Sequence, residues 1–135
     1  MLLDRPDPHT SMNWRRAFPG TADQARCVRM FAACLLADCP ALDEVLLALN
    51  ELVVNAIRHT KSGQDGGSFT VEVQQGGGGV AVSVADEGGP DEPVAGLPED
   101  LAESGRGLRT VSLTAASWGW HGNCQGRTVT AVFPE

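Results

Sequence analysis

The 135-residue chain lacks the features that mark several classes of protein. It contains no apolar run near the ~20 residues that cross a bilayer. Its first residues, MLLDRPDPHTSMNW, are polar and proline-bearing, without the apolar stretch of a signal peptide. None of its four cysteines forms a C-x-x-C pair or lies at zinc-finger spacing to a histidine. These absences predict a cytoplasmic protein with free thiols and no membrane association.

The chain also lacks an excess of basic residues. Its net charge is −7 and its isoelectric point is about 4.8, which disfavours direct binding of nucleic acid because phosphates require Lys and Arg. The charge is uneven, since residues 1–30 hold five Arg against three Asp. The basic cluster of Arg15, Arg16, Arg26 and Arg29 is either a partner surface or a solvated helix face.

Length and composition indicate one globular domain. Apolar residues make up 42% and charged residues 20% of the chain, and 135 residues can bury one core but not two comfortable ones. No internal repeat is visible. We expect a flexible N-terminus at 1–12 and a single domain at 13–135.

The pattern of apolar residues and turn formers predicts an α+β fold. Alternating valines indicate strands, and glycines at 76–79 indicate the hairpin turn between two of them. The predicted order is a strand at 13–20, a helix ending before Pro40, a helix at about 41–59, the two strands of the hairpin, a long loop at 87–105, a helix opening on Gly105, and two final strands. This order predicts one antiparallel or mixed sheet with about three helices on one face.

The helix predicted at 41–59 has a broad apolar face and a second face with polar residues. Glu44, Ala48, Glu51, Asn55 and Arg58 lie roughly opposite the leucines and valines. Two of them, Glu51 and Asn55, are one turn apart and therefore neighbours. This side of the helix faces either water or a ligand.

Three further polar motifs follow along the chain. They are Asp86-Glu-Gly88-Gly89 after a strand, Gly105-Arg-Gly107-Leu108 at a helix start, and Gly126-Arg-Thr128 at the entry to the last strand. Each is weak alone, because turns, helix starts and strands commonly carry these residues. Together they provide a carboxylate for a purine amino group, a helix N-terminus for phosphates and an amide oxygen for Mg²⁺. A carboxylate beside that amide can accept a proton.

The set resembles the GHKL ATPases of the Bergerat fold, and the compact chain resembles their single-domain anti-sigma-factor serine/threonine kinases. The N box is matched by ELVVNAIRHT, the G1 box by DEGG and the G2 box by GRGL. The resemblance implies ATP and Mg²⁺ as ligands. It implies that Glu51 is the catalytic carboxylate and that Asn55 coordinates the metal. The remaining nucleotide contacts that it implies are His59, Asp86, Gly88, Gly105, Arg106, Gly107, Leu108 and Thr128.

Two positions qualify the resemblance. The G1 pattern D-x-G-x-G has Pro90 at its last glycine, and proline lacks an N–H and fixes φ, so nucleotide affinity or lid motion can differ. His59 either lines the site or simply ends its helix. Histidine kinases share this ATP site but need a separate phosphoacceptor helix pair, for which the chain has no room.

Two functions from different classes are compatible with these residues. In the first, the protein is a kinase that phosphorylates a small anti-anti-sigma protein of the STAS type and binds a sigma factor. In the second, it is a nucleotide-gated binding regulator without phosphoryl transfer. Retention of both Glu51 and Asn55 favours the kinase, whereas Pro90 keeps the regulator open. The resemblance also suggests a homodimer.

Overall fold

The computed structural model describes residues 12–90 and 103–134, with side chains throughout except at 103–107. The elements are β1 (Met12–Pro19), α1 (Gln24–Leu35), α2 (Leu42–His59), a short 3-10 helix (Lys61–Gly63), β2 (Ser68–Gly76), β3 (Gly79–Asp86), α3 (Glu103–Thr114), β4 (Ser117–Asn123) and β5 (Gly126–Pro134). None of the described helices is long and apolar enough to cross a membrane.

The five strands form one antiparallel sheet in the order β1-β2-β3-β5-β4. This confirms the predicted α+β class. The hairpin between β2 and β3 turns at Gly77 and Gly78, whose φ angles of 62° and 82° are both positive. Two consecutive positive φ angles are typical of the tight turns that match the strand twist, as the glycine run predicted.

All three helices pack on one face of this sheet. Alternate side chains of each strand point to that face. In β3 and β5, the residues on this face pair across the two strands as Val80 with Phe133, Val82 with Ala131 and Val84 with Val129. These residues are at most 2% exposed. The helices contribute Val28 and Ala32 from α1, Leu108 and Val111 from α3, and six residues from α2. One continuous core therefore lies between the sheet and the helices.

The boundaries of the helices differ slightly from those predicted. Helix α1 begins at Gln24 rather than near Thr21, whose hydroxyl donates to Asp23 instead of capping the helix. Helix α3 begins at Glu103, so the G2 motif lies inside its first turns rather than before it. The predicted loop at 87–105 falls largely outside the described residues, as does nearly all of the predicted flexible N-terminus.

The polar side of α2 is narrower than the periodicity predicted. Ala48 was expected there but is completely buried, and α2 packs against α1 and α3 as well as against the sheet. Leu47, in contrast, is 48% exposed. The helix therefore has two covered flanks, and only part of its surface remains open.

Leu52 and Leu47 provide a matched test of this packing within one helix. Leu52 is 1% exposed, so Leu52→Ala should lower the free energy of unfolding by about 2–5 kcal/mol through lost burial and a residual cavity. Leu47→Ala should cost less than about 1 kcal/mol. Urea unfolding of both variants measures the difference, and equal losses would contradict the packing of α2 described above.

Candidate functional site

Glu51 and Asn55 lie on the open part of α2, and both are half-buried. Residues 48, 51 and 55 follow one line along a helix. That line is fully covered at Ala48 and becomes partly accessible at Glu51 and Asn55, toward the C-terminal end of α2. The two polar side chains are therefore partly covered rather than fully solvated.

The C-terminal end of α2 is hydrogen-bonded to the loop that follows β3. Thr60 Oγ1 donates to the Ala56 carbonyl at 2.6 Å and accepts from the Ser62 N–H at 3.1 Å. Ser62 is completely buried, and its Oγ accepts from the Glu87 N–H at 2.9 Å. The Lys61 N–H donates to the Gly88 carbonyl at 2.7 Å. These bonds place the N-box helix beside the DEGG loop.

Asp86 is the last residue of β3 and begins this loop. Its Oδ1 accepts from the Gly88 N–H at 2.7 Å, a bond that orients the carboxylate toward the loop. Burial raises the pKa of Asp86 above its ordinary value, although the Gly88 N–H and the charge of Arg127 act in the opposite direction. A carboxylate that is partly desolvated by burial is a candidate for ligand recognition.

Gly88 and Gly89 are buried, and both lie against backbone. Gly88 has a φ of 83°, and a Cβ there would collide with the Cys124 carbonyl in the β4–β5 turn. A Cβ on Gly89 would lie 2.6 Å from the His59 carbonyl at the end of α2. Glycine is therefore required at both positions because neighbouring backbone leaves no room for a Cβ. Gly88 is required for a second reason, its left-handed conformation.

Arg127 faces Asp86 from the neighbouring strand. The two residues are directly paired in the register of β3 and β5, so their side chains share the helix-facing side of the sheet. Arg127 is only 5% exposed. Its Nε donates to the Asn123 carbonyl at 3.2 Å, its Nη2 donates to the Gly89 carbonyl, and its guanidinium lies 5.7 Å from the centre of the Trp120 ring.

The G2 motif lies in the first turns of α3. The first four N–H groups of a helix have no acceptor within it. Because α3 begins at Glu103, Gly105 and Arg106 fall within this group, while Gly107 and Leu108 follow it. Leu108 is 1% exposed and belongs to the core. The backbone at Gly105 and Arg106 can thus offer N–H groups and the positive end of the helix dipole to an anion.

Comparison with known families matches this geometry to one of them. The model of the histidine kinase-like ATPase domain matches residues 18–133, which is most of the chain. The chain belongs to this family. The expected GHKL relationship is therefore confirmed.

Comparison with solved structures supports the fold of this ATPase domain. The crystal structure of the RsbU and RsbW domains of Rv1364c from Mycobacterium tuberculosis matches with a TM-score of 0.67 and 21% sequence identity. The match covers 91% of this chain and 32% of that one, so the ATPase domain spans about a third of the length of the other protein. Comparison with curated proteins found no significant match.

Thr128 lies on the opposite face of the sheet from Asp86 in this ATPase domain. Thr128 is paired with Ala85, so it points to the sheet face opposite the helices and Asp86. There it borders a shallow pocket with Ser83, Glu72 and other residues of that face. The side chain that faces Asp86 is Arg127, one residue earlier. We therefore correct the predicted adenine contact at Thr128, because strand alternation places it on the wrong face.

Two residues of the ATPase domain were not singled out from the sequence. Arg127 was identifiable from the alternation of the last strand. Val129, Ala131 and Phe133 are apolar at every second position, so residue 127 is expected on the same, core-facing side of the sheet. Ser62 had no such signal, because it lies in a segment, KSGQDGG, that is typical of a surface loop.

His59, which was predicted as a nucleotide contact, is half-buried, and its carbonyl contacts Gly89. A nucleotide contact of its side chain stays a prediction.

Gly88 and Gly66 test the close packing of the DEGG loop. Gly66 has a similar φ of 79° but has open space around its Cα. Both Gly→Ala variants should incur the cost of a left-handed alanine, about 1–2 kcal/mol. Only Gly88→Ala adds the collision with Cys124, so its free energy of unfolding should fall by a clearly larger amount. Chemical denaturation measures the free energy of unfolding of both variants. Equal losses would show that the β4–β5 turn moves to accommodate the added methyl group, which would contradict the close packing.

Proposed function

We propose that the protein is an ATP-dependent serine/threonine kinase that acts as an anti-sigma factor, with a small STAS-type anti-anti-sigma protein as the acceptor of the phosphoryl group. The observation that carries this proposal is the position of Glu51 and Asn55. They lie one turn apart and half-buried on α2, and the segment that follows this helix is hydrogen-bonded to the loop of Asp86. Membership in an ATPase-domain family supports ATP as the ligand.

Each residue has a proposed role in that site. Asp86 accepts a hydrogen bond from the adenine amino group, and the start of α3 offers N–H groups to the phosphates. Asn55 supplies an amide oxygen to Mg²⁺. The described residues include no group of three or more His, Cys, Asp or Glu side chains that could hold a metal. A single amide therefore suits Mg²⁺, which keeps several waters and takes its other ligands from phosphates. When bound, the ion neutralises charge on the phosphates.

Glu51 is proposed to act as the general base. It accepts the proton of the attacking Ser or Thr hydroxyl while the new oxygen–phosphorus bond forms and the bond to ADP breaks. Phosphoryl transfer depends mainly on positioning and charge stabilisation. A carboxylate held on a helix, one turn from the proposed metal ligand, meets the positioning requirement.

A nucleotide-gated regulator without transfer activity is the second candidate. It is favoured by Pro90, which stands where the G1 pattern has its last glycine and cannot offer an N–H to a phosphate or a lid. In this candidate, ATP would change the affinity for a sigma factor or another partner without being consumed. The sigma factor, the STAS-type acceptor and a homodimer all remain proposals drawn from the resemblance.

The role of Asn55 predicts a metal-dependent affinity for ATP. In the wild type, removing Mg²⁺ with a chelator should weaken ATP binding, and in Asn55→Ala this difference should disappear. Asn50→Ala is the matched control, because Asn50 is on the same helix but accepts a hydrogen bond from Arg29 at 2.6 Å. Calorimetric titration with ATP measures all three proteins. An Asn55→Ala variant with the metal dependence of the wild type would contradict the assignment.

The role of Glu51 separates the kinase from the regulator. Glu51→Gln should slow transfer from labelled ATP to a STAS-type protein by about 10²–10⁴-fold, while ATP affinity stays within a few-fold because the loss falls on the transition state. Glu44→Gln is the control, since Glu44 is exposed on the same line of α2, two turns or about 10 Å away. Undiminished transfer by Glu51→Gln would refute the catalytic role. Tight ATP binding by the wild type without transfer to any acceptor would favour the regulator.

A further inference from the structure

The DEGG loop is hydrogen-bonded to the segment after α2, to β5 and, through the Glu87 side chain, to Ser68 at the start of β2. On the side of α2, it is held by the Ser62 hydroxyl and the Lys61 N–H, which bond to Glu87 and Gly88. On the side of β5, it is held by one charged side chain, that of Arg127, which donates to the Gly89 carbonyl. Arg127 is thus the side-chain contact between the loop and β5 that a substitution can remove without altering α2.

Arg127 also influences Asp86 without replacing its hydrogen bonds. The Asp86 carboxylate accepts from the Gly88 N–H at 2.7 Å and also interacts with the main-chain N–H of Arg127. The Gly88 N–H keeps its position only while the loop stays in place, and Arg127 holds the next residue of the loop. The positive charge of Arg127 in addition favours the ionised form of Asp86 against the effect of its burial.

We propose that Arg127 is a specificity-determining positioning residue, which selects a 6-aminopurine over a 6-oxopurine by holding Asp86 as an oriented hydrogen-bond acceptor. This inference rests on the proposed ATP-binding function. An oriented, ionised carboxylate accepts from the amino group of adenine and repels the carbonyl of a 6-oxopurine. A carboxyl that is free to rotate and take up a proton can donate to that carbonyl, so it discriminates poorly between the two bases.

The geometry also explains why an arginine is suited to this role. Its guanidinium bonds to carbonyls of two separate segments, Gly89 and Asn123, and lies over the Trp120 ring. A planar fork with several fixed donors makes such contacts at the same time, whereas a lysine ammonium is a single point of charge. Met in place of Arg127 keeps a similar stem but loses both the charge and the donors.

The test compares ATP with ITP, which carries a carbonyl and a ring N–H where adenine has its amino group and ring nitrogen. Affinities of the purified 135-residue chain for both are measured in Mg²⁺ by equilibrium titration. The wild type should prefer ATP by about tenfold or more, because a mispaired buried polar group is costly. Arg127→Met should lower this preference to within about threefold, mainly by weakening ATP. Arg26→Met, an exposed change on α1, should leave the preference unaltered.

The outcomes distinguish failure of this inference about Arg127 from failure of the proposed ATP-binding function. If Arg127→Met weakens ATP and ITP in parallel and keeps their ratio, Arg127 has only a structural role and the inference is overturned, while ATP binding stands. If the wild type binds ATP and ITP equally, the inference fails in the same way. If the wild type binds neither, the proposed function fails and the inference falls with it.

A second variant guards against loss of the fold. If Arg127→Met unfolds, Arg127→Lys retains the charge and most of the stem but not the fork. It should lower the ATP-to-ITP preference at least about threefold relative to the wild type. An unchanged preference in a folded Arg127→Lys protein would overturn the inference that the contact with Gly89 sets the specificity.

Discussion

The segment Glu87–Gly89 passes between two pieces of backbone, the end of α2 and the β4–β5 turn, and the geometry of the site depends on this confinement. Gly88 has no room for a Cβ beside Cys124, and Gly89 has none beside the His59 carbonyl. The loop cannot shift toward either neighbour, and the bond from Arg127 to the Gly89 carbonyl holds it from β5, so packing and this bond together position the N–H that orients Asp86. Recognition of a base at Asp86 is thus preorganised by contacts that the ligand itself does not make.

Ionisation of the Asp86 carboxyl lowers the free energy of unfolding. Its folded-state pKa is raised above the ordinary value, mainly by burial. For a carboxylic acid this means that the folded state binds the proton more tightly than the unfolded state. The contribution of Asp86 to stability therefore falls as the pH rises through the window between the two pKa values. A partly buried carboxylate whose ionisation costs stability is better explained by ligand recognition than by folding.

The fold followed from periodicity, and the errors came from neighbours that periodicity does not reveal. Alternating valines predicted β2 and β3, and a leucine stripe predicted α2 within one residue of its bounds. Ala48 was misplaced because its burial depends on tertiary packing around α2, which the periodicity of one helix does not reveal. Thr128 was misplaced because a motif match ignores which face of a strand a residue occupies, and one residue of offset reverses the face. The positions of Asp86 and Arg127 relative to one another depend on strand register, which needs the pairing of β3 with β5.

The core and the site share one helix, and this bears on the choice between the two functions. Glu51 and Asn55 alternate with Leu52, Val53 and Ala56, all at most 1% exposed, so the backbone that carries the polar pair is fixed by the core. The end of the same helix is fixed to the loop of Asp86 through Thr60 and Ser62. A regulator that only binds ATP requires Asp86 and the start of α3, but it gains nothing from a carboxylate on core-anchored backbone one turn from the proposed metal ligand. Group transfer does gain, because displacement of a catalytic group by about 1 Å can cost two orders of magnitude in rate. The placement of Glu51 on backbone that is anchored by the core therefore favours the kinase over the regulator.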